Sequence, residues 1–470
     1  FPTRSTAEAL SEKRAVMNAR PKIVICGAGI AGVAAAHALV TAFAAEDITL
    51  IDQDRPLSLT SDKSTEAYRN WWPGPDWEMT AFMDRSLDLI EDIARATGNR
   101  INLNRRGYVF ASADRSKIDF LQTMAKTAEA RGAGTARFHG TANSIYTPSP
   151  EHGFDLSLAG ADIITERSVI HRAFPYLSPD TVVIAHVRRA GWLSAQKIVG
   201  VMLHSVRAHG VKLVRGEVAG FRTRGNRVDA VEVAAADGRH VFEASHVVLA
   251  GGPFQSKLAA LIGVTLPITA ERHRKVSFQD TLGAMPRSAP MMIWLDEQYL
   301  PFNDDDRAAL SEEAESAWIL GKFPAGVHGR PDGAYAALVL FNPNGEAVEP
   351  VFPLPDAPHY AEIALRGMAT MVPALQAYNG KPPRPYVDGG YYVRTRENRP
   401  LIGPAGPEGA FVSCAYSGFG VMASAAGGEL VASHIMEAPL PRYAPAFLPT
   451  RYQDARYRSA LDTWGDGGQL

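Results

Sequence analysis

Three glycines between a buried strand and a helix constrain the fold of this chain more than any other feature. Residues 22–26 are a short apolar run, which is typical of a parallel strand buried on both faces. Gly27, Gly29 and Gly32 follow at once, and an alanine-rich helix is predicted to continue to about residue 45. A second apolar run at 48–51 ends at Asp52. This order predicts a βαβ unit that opens a parallel sheet.

The spacing of these residues suits a bound adenine dinucleotide. The first glycine permits a tight turn, the second lets the backbone approach a pyrophosphate, and the third lets the helix pack on the strand. The helix N-terminus offers free N–H groups to the phosphates. Asp52 lies 20 residues after Gly32, where a carboxylate accepts both ribose hydroxyls and repels the extra phosphate of NADP. Rather than a vestigial unit without a ligand, we predict dinucleotide contacts at Gly27, Ala28, Gly29, Ile30, Ala31, Gly32, Asp52 and Gln53.

Length, charge and cysteine content restrict the class of protein. The 470 residues exceed the usual size of one core, so two connected domains are expected. A charged fraction of 21% with a net charge of −2 leaves no basic excess for nucleic acid. Cys26 and Cys414 lie in separate apolar runs, which favours core thiols in a reducing compartment over a disulfide. Since the longest apolar stretch, 30–45, is short for a bilayer, we expect a soluble protein without a membrane span. We expect it to be cytoplasmic, and we predict no metal site.

The order of the apolar runs indicates how the domains are connected. Further buried strands that end near glycines are predicted at 246–252 and 410–415, and a small-residue helix follows from 421 to about 436. Strand-like runs at 275–279, 291–295 and 334–341 and a helix at 362–371 form a second group. Stretches rich in Pro, Gly and Asp at 298–306, 324–333 and 342–357 are predicted to be surface loops.

The predicted fold class is α/β, or α+β overall, with a Rossmann-like domain assembled from discontinuous segments and a second domain built on a mixed sheet. The nucleotide-binding domain comprises 21–75, 166–265 and 385–440, and the second, substrate domain comprises 76–165 and 266–384. Residues 1–20 mix charge with alanine and are interpreted as an N-terminal extension, and 441–470 as a C-terminal tail.

The C-terminal block favours FAD over NAD. Residues 395–403 and 415–422 resemble the closing motif of the D-amino acid oxidase, sarcosine oxidase and glycine oxidase superfamily, and the resemblance covers nearly the whole chain. In that superfamily a glycine-flanked turn and a helix N-terminus lie beneath the isoalloxazine ring. The resemblance implies that backbone N–H groups stabilise negative charge on the flavin at Gly418, Phe419, Gly420, Val421 and Met422.

Other segments match the superfamily in order and spacing. Residues 213–218 resemble the strand whose valine meets the adenine, which is Val218 here. Gly251 and Gly252 end the second apolar strand. The segment 61–65 corresponds to small polar residues that contact pyrophosphate and flavin, namely Ser61, Lys63, Ser64 and Thr65.

The same resemblance implies candidates for the substrate site. Arg69 corresponds to an arginine that binds the substrate carboxylate, for which a guanidinium is well suited; the alternative is a surface or ion-paired arginine. Lys275 resembles a lysine whose charge promotes electron transfer to O2, the alternative being a solvated lysine. His273 shares its face in an extended strand, although a lone histidine is more often structural. Of Tyr391 and Tyr392, which alternate in a strand, at most one is expected to reach the site. Arg394 and Arg396 add charge for an acidic substrate or pair internally with Glu397.

The chain departs from the sarcosine oxidase pattern at several positions. No cysteine lies within 388–394, so FAD is expected to bind without a covalent link. Met422 replaces a carboxylate-binding lysine, Phe419 replaces a histidine, and Glu66 replaces an arginine beneath the flavin. These changes make the pocket less cationic and more aromatic, which suggests an amine bulkier than N-methylglycine.

The sequence therefore predicts oxidation of a C–N bond of an amine or amino-acid derivative by FAD, with O2 as the electron acceptor. The alternatives are a dehydrogenase that passes electrons to a quinone or a protein, an aromatic hydroxylase of the same FAD architecture, and a non-catalytic FAD-binding subunit. The hydroxylase is disfavoured because the C-terminal block lacks the Gly-Asp flavin motif of those enzymes and ends in residues 417–420.

Overall fold

The computed structural model describes residues 21–72, 76–313, 315–343, 345–462 and 464, so the predicted extension 1–20 lies outside the described residues. The strands are β1 Ile23–Cys26, β2 Ile48–Asp52, β3 Ala67–Arg69, β4 Tyr108–Ser112, β5 Ala136–His139, β6 Ala161–Ile164, β7 Val183–Val187, β8 Ala190–Trp192, β9 Lys212–Arg215, β10 Glu217–Arg224, β11 Arg227–Ala235, β12 Gly238–Glu243, β13 His246–Leu249, β14 Thr269–Gln279, β15 Met291–Trp294, β16 Gln298–Tyr299, β17 Lys322–Phe323, β18 His328–Asp332, β19 Ala336–Leu340, β20 Tyr386–Arg394, β21 Leu401–Pro404 and β22 Ala410–Cys414. The α-helices are α1 Ile30–Phe43, α2 Glu78–Ala96, α3 Lys117–Ala130, α4 Arg167–Ala173, α5 Ala195–Ala208, α6 Gln255–Ala260, α7 Asp304–Glu312, α8 Tyr360–Met371, α9 Gly420–Ile435 and α10 Ala455–Leu461.

The predicted βαβ unit forms the centre of a six-stranded sheet with the order β21-β22-β13-β1-β2-β9. All its pairs are parallel except β21 with β22. Helices α1 and α9 pack on one face, so closely that a Cβ on Gly428 would lie 2.4 Å from the carbonyl oxygen of Ala34. The meander β10-β11-β12 covers the other face, and its Val231 and Val233 share a core with Val24. Every residue of β1 is buried, which explains why the strand is a continuous apolar run in the sequence. The parallel sheet with its packed helices confirms the α/β prediction.

A nine-stranded mixed sheet, with the order β20-β14-β19-β18-β15-β4-β7-β6-β5, forms the second layer. Residues that pair across adjacent strands point to the same side, and alternate residues point to opposite sides. One side packs on α8, where Val276 and Val339 contact the cluster that contains Met368. The opposite side, called the front face here, carries His273 and Lys275 of β14, His328 and Arg330 of β18 and Tyr108 of β4.

Three predictions about local structure are wrong. The predicted surface loop 298–306 contains the short strand β16 and the start of α7 at Asp304. The single strand expected over 213–218 is two strands, because the chain turns at Gly216, whose N–H donates to the carbonyl of Asp52, and β10 then pairs with β11. The predicted loop 324–333 contains β18, which pairs with β19 along its whole length. Strand β7 of the predicted segment 166–265 and β20 of 385–440 both join the nine-stranded sheet, so these segments contribute to both layers; the domain boundaries themselves stay a prediction.

Both cysteines are buried free thiols, as the sequence predicts. Among the described residues, no helix combines the length and the apolar character needed to cross a bilayer. The described part of the predicted tail folds back onto the chain, where Arg451 and the hydroxyls of Tyr452 and Tyr457 all bind one carboxylate oxygen of Glu397, whose side chain is 2% exposed.

Candidate active site

The glycine turn between β1 and α1 has no room for side chains. Gly27 has a φ of +113°, and a Cβ there would lie 2.2 Å from the carbonyl oxygen of Ala250. A Cβ on Gly32 would lie 1.8 Å from the carbonyl oxygen of Gly27. Helix α1 begins directly after Gly29, and the N–H of Ile30 donates to Oγ of Ser61 at 3.0 Å. The turn therefore brings bare backbone and a helix N-terminus to one point, as the sequence predicts.

Asp52 ends β2 beside this turn. Its carboxylate accepts hydrogen bonds from the N–H groups of Ala28 at 2.6 Å and Asp54 at 3.0 Å. Burial raises the pKa of Asp52, against the lowering effect of these two N–H groups. Asp52 lines an outer cavity of about 1190 Å³. Four further predicted residues line it, namely Gly27, Gln53, Val218 and Gly251.

An inner cavity of about 620 Å³ lies between the N-termini of α1 and α9 and the edge strand β20. The predicted residues that line it are Gly29, Ile30, Ala31, Ser61, Ser64, Gly252, Tyr391, Gly418, Gly420 and Val421. Thr60 and Tyr416 were not predicted and also line it. Thr60 Oγ1 accepts the N–H of Tyr391 at 3.2 Å, and Tyr416 donates to or accepts from Ser413 at 2.8 Å. Thr60 carries no sequence signal, because a contact far along the chain places it, whereas Tyr416 lies within the predicted motif 415–422.

Several predicted cofactor residues lie beside these cavities rather than in their linings. Phe419 is buried against Trp72 with an edge-to-face ring contact at 4.8 Å, and Met422 Sδ accepts the N–H of Arg69 at 3.4 Å. Lys63 forms ion pairs with Asp388 at 2.8 Å and with Asp62 at 3.2 Å. The remaining residues contribute backbone: Ala28 donates to Asp52, Gly32 packs on Gly27, and Thr65 accepts from Arg330.

Arg69 is the most unusual charged group near the inner cavity. It ends β3, and its residue is only 6% exposed. Nε donates to the carbonyl of Trp71 at 3.2 Å, whereas one terminal nitrogen has no hydrogen-bond partner. The guanidinium lies 5.0 Å from the ring centre of Trp72 and 5.4 Å from that of Tyr108. Within the described residues it forms no ion pair, so the arginine is neither a surface residue nor a structural partner of a carboxylate.

Lys275 and His273 point to the front face, as their period-2 spacing predicts. Lys275 Nζ donates to the carbonyl of Asp62 at 2.6 Å, and burial lowers the pKa of its ammonium group. The ring of His273 stacks on Tyr392, with centroids 3.8 Å apart and planes at 17°. His273 Nε2 lies 3.6 Å from a carboxylate oxygen of Glu271, and burial lowers the pKa of the imidazole.

The tyrosines and arginines around β20 have separate partners. Both Tyr391 and Tyr392 line the inner cavity, although at most one is expected from the sequence to reach the site. The hydroxyl of Tyr391 is bonded to the backbone of Val351, and the ring of Tyr392 stacks on His273. Arg394 lies 3.4 Å from Glu271, and Arg396 lies 2.9 Å from Asp462. Neither arginine pairs with Glu397, whose partner is Arg451.

A comparison with known protein families identifies the family of this chain. A family model described as FAD dependent oxidoreductase, DAO, matches residues 22–434. The chain belongs to the DAO family of FAD-dependent oxidoreductases. No curated protein sequence gives a significant match to it.

Solved structures share the DAO fold at low sequence identity. L-proline dehydrogenase from P. horikoshii has a TM-score of 0.69 and 18% identity, over 92% of this chain and 98% of its own. Glycine oxidase from Geobacillus kaustophilus has a TM-score of 0.68 and 16% identity, over 92% and 99%. Amadoriase I, a fructosyl amine:oxygen oxidoreductase from Aspergillus fumigatus, has a TM-score of 0.65 and 14% identity, over 96% and 93%.

The residues of this DAO-family chain fit FAD. Gly29, the second glycine of the turn, is only partly buried, and within 4 Å a Cβ there would meet only Oγ of Ser61, at 3.3 Å. Its backbone is therefore open to close approach by a pyrophosphate. The inner and outer cavities lie on the two sides of that turn, since Gly29 lines one and Gly27 lines the other. The turn therefore has space for a long ligand on both sides.

Three residues on the front face were not predicted. Tyr108, His328 and Arg330 lie on strands whose pairing brings them to the side that carries Lys275. Arg330 is 3% exposed, donates to the carbonyl of Thr65 at 2.8 Å and lies 3.5 Å from Glu66. Burial raises the pKa of Glu66, which also has a positive φ of 57°. The front face thus carries the guanidinium of Arg330 and the imidazole of His328 in addition to the predicted Lys275 and His273.

Proposed function

We propose that this enzyme oxidises the C–N bond of an amine or amino-acid derivative that carries a carboxylate, giving the imine. FAD supplies the chemistry by accepting a hydride at N5. Buried Arg69, which has no carboxylate partner in the described chain, is the observation that supports the proposal most strongly. The structural neighbours are named as oxidases or dehydrogenases of proline, glycine and a fructosyl amine, and this agrees with such a substrate.

The argument from Arg69 is electrostatic. Burial lowers the pKa of its guanidinium, yet arginine stays protonated in proteins, so an unbalanced positive charge lies under the rings of Trp72 and Tyr108. An unpaired buried charge costs several kcal/mol, roughly, unless an anion joins it. A substrate carboxylate supplies that anion, and the planar guanidinium binds it in a fixed orientation.

The remaining residues position and shield the substrate. The aromatic rings of Trp72, Tyr108 and Tyr392 surround Arg69 and His273, which supports a substrate with apolar bulk next to its carboxylate. The N-terminus of α9, which begins at Gly420 and has no side-chain cap, supports stabilisation of negative charge on the flavin, although the N–H of Phe419 is committed to the carbonyl of Tyr416. We place the adenosine part of FAD beside Asp52 and Val218.

We further propose that FAD is held without a covalent bond. Cys414 lines the inner cavity, but burial raises the pKa of its thiol to about 12. A thiol in that state is protonated and a poor nucleophile. The test is denaturation with acid followed by centrifugation; yellow colour in the supernatant supports the proposal, and colour retained on the precipitate contradicts it.

The decisive test of the reaction is anaerobic mixing of the purified enzyme with an amine panel. The panel contains glycine, L-proline, sarcosine and phenylalanine, together with the matching amines that lack a carboxylate. Bleaching of the flavin absorbance by the amino acids, and much weaker bleaching by the carboxylate-free amines, is the expected result. The variant Arg69→Lys keeps a charge but loses the bidentate geometry, and we expect it to weaken apparent amino-acid affinity at least about tenfold. No bleaching by any amine would reject the function.

The electron acceptor distinguishes an oxidase from a dehydrogenase. We favour O2, because the partly buried Lys275 places a positive charge on the front face. Because the chain shares its fold with a protein named as L-proline dehydrogenase, an electron acceptor other than O2 is the second candidate. Rapid reoxidation of the reduced enzyme by air supports the oxidase, whereas slow reoxidation that a quinone accelerates supports the dehydrogenase.

A further inference from the structure

His328 places an imidazole on the front face, and the proposed reaction assigns no role to it. It begins β18 and pairs with Ile293 of β15 and Leu340 of β19. Ile293 also pairs with Phe110, and this register puts His328 on the same side of the sheet as Tyr108, over which Arg69 lies. The side chain is half-buried.

One hydrogen bond fixes the tautomer of His328. Nδ1 lies 2.7 Å from the carbonyl oxygen of Gly326. Because a carbonyl only accepts, Nδ1 carries the proton, and the lone pair of the neutral ring is on Nε2. No residue in the described part of the chain makes a hydrogen bond to Nε2. Nε2 is therefore a hydrogen-bond acceptor in a fixed orientation, and no described residue donates to it.

The surroundings keep this ring neutral. Burial, followed by electrostatic repulsion from His273 and Arg69, lowers the pKa of His328 to about 4, against the raising effect of the Gly326 carbonyl. The nearby carboxylates have other partners, since Glu271 contacts His273 and Arg394, and Glu66 contacts Arg330. At neutral pH the ring accepts a hydrogen bond and does not repel a positively charged group.

We infer that Nε2 of His328 accepts an N–H of the substrate amine while Arg69 binds the carboxylate of the same molecule. This rests on the proposed function. The two groups have opposite hydrogen-bond polarity, since arginine only donates and this histidine nitrogen only accepts. An amino acid has one end for each, so the pair orients its α-carbon in one way and presents one C–H to the flavin. The site therefore selects primary and secondary amino acids, and rejects N,N-dialkyl amino acids, whose neutral amine has no N–H.

The test separates the acceptor role from the structural bond to Gly326. In His328→Asn the amide N–H remains close enough to donate to Gly326, but no atom occupies the position of Nε2. In His328→Gln the longer side chain brings an amide oxygen near that position. The probes are L-proline and phenylalanine, with cyclopentanecarboxylate and 3-phenylpropanoate as their counterparts without nitrogen. Binding is followed by the change in flavin absorbance, and turnover by anaerobic reduction.

We expect His328→Asn to weaken binding of the amino acids, and to slow their reduction of the flavin, by about ten- to a hundredfold. Binding of the two nitrogen-free carboxylates should stay within about twofold, and His328→Gln should recover part of the loss. Arg69→Lys should weaken both classes of probe. Equal losses for amino acids and nitrogen-free carboxylates, or no loss for either, would overturn the inference.

The outcomes also separate this inference from the proposed function. If amines reduce the wild-type flavin but His328→Asn resembles the wild type, the acceptor role fails and the function stands. If no amine reduces the wild-type flavin, both fail. If N,N-dimethylphenylalanine reduces the flavin as fast as phenylalanine, the selection for an N–H fails.

Discussion

The hydroxyl of Tyr391 is bonded to both backbone groups of Val351, accepting from its N–H at 3.0 Å and donating to its carbonyl at 2.9 Å. Tyr391 is 2% exposed, and its ring makes an edge contact with Phe352 at 5.3 Å. Tyr391 thus holds Val351 and Phe352 against β20, and its hydroxyl is committed to the backbone. This favours an anchoring role over the catalytic role that the sequence suggests.

Tyr391→Phe tests the two roles. Since the variant removes two hydrogen bonds and keeps the ring, we expect it to lower the free energy of unfolding by about 1–3 kcal/mol and to speed amide exchange at Val351. The rate of anaerobic flavin reduction at saturating amine should change less than about threefold. A loss of about a hundredfold in that rate, with unchanged stability, would restore the catalytic role.

Gly32→Ala should abolish FAD binding. A Cβ at this position would lie 1.8 Å from the carbonyl oxygen of Gly27, so α1 must move away from β1. We expect a protein purified without yellow colour and with a melting temperature lowered by several degrees or more. Gly200→Ala in α5 is the matched control, because a Cβ there meets nothing within 4 Å. That control should keep its flavin and gain up to about 1 kcal/mol of stability. A yellow Gly32→Ala protein would contradict the role of the turn.

Lys275→Met tests the reaction with O2. Lys275 Nζ donates to the carbonyl of Asp62, and the substitution removes the charge while nearly keeping the length of the chain. Reoxidation of the reduced enzyme by O2 should slow about a hundredfold, and anaerobic reduction by the amine should stay nearly intact. Lys197→Met, on the exposed side of α5, is the control. Unchanged reoxidation would exclude Lys275 as the oxygen-activating group.

The sequence predicts the parts of the site that depend on local pattern. The βαβ unit, Asp52 and the turn before α9 follow from short-range spacing, and each is present where expected. Strand β18 was missed because Gly329 and Pro331 are typical of loops. It tolerates the proline because its pairing with β15 ends at Gly329, so no partner on that edge requires an N–H from Pro331.

Contacts between distant segments set the rest of the site, and a single sequence does not contain them. Lys63 forms an ion pair with Asp388, 325 residues away, and the ring of Phe419 packs against Trp72. The partners of Arg69 follow from packing of β3 beside β4 and α9, so its burial without a counterion appears only in three dimensions.

His186 makes the stability of the fold depend on pH. It lies on β7, is 1% exposed, donates from Nε2 to the carbonyl of Arg106 at 3.0 Å and accepts the hydroxyl of Tyr146 at Nδ1 at 2.8 Å. Accepting the hydroxyl of Tyr146 requires the neutral ring, whereas the bond to Arg106 persists in the protonated ring and favours it. Burial, with the charge of Arg188, outweighs that bond and lowers the pKa of His186 to about 3. The unfolded chain binds a proton near pH 6.5, whereas the folded chain binds it only near pH 3. The contribution of the buried His186 ring to the free energy of unfolding is therefore fully present above pH 6.5 and is lost as the pH falls towards 3.

We expect the free energy of unfolding to fall by about 1.4 kcal/mol for each pH unit below 6.5 from this one histidine. In His186→Gln the protein should be less stable at pH 7.5 but should lose less stability on acidification, because the titrating ring is gone. Urea unfolding at pH 7.5, 6.0 and 5.0 measures both quantities. The exposed His240 provides the control, since His240→Gln should leave the pH dependence as in the wild type. If His186→Gln keeps the full acid sensitivity, the pH dependence arises from other groups.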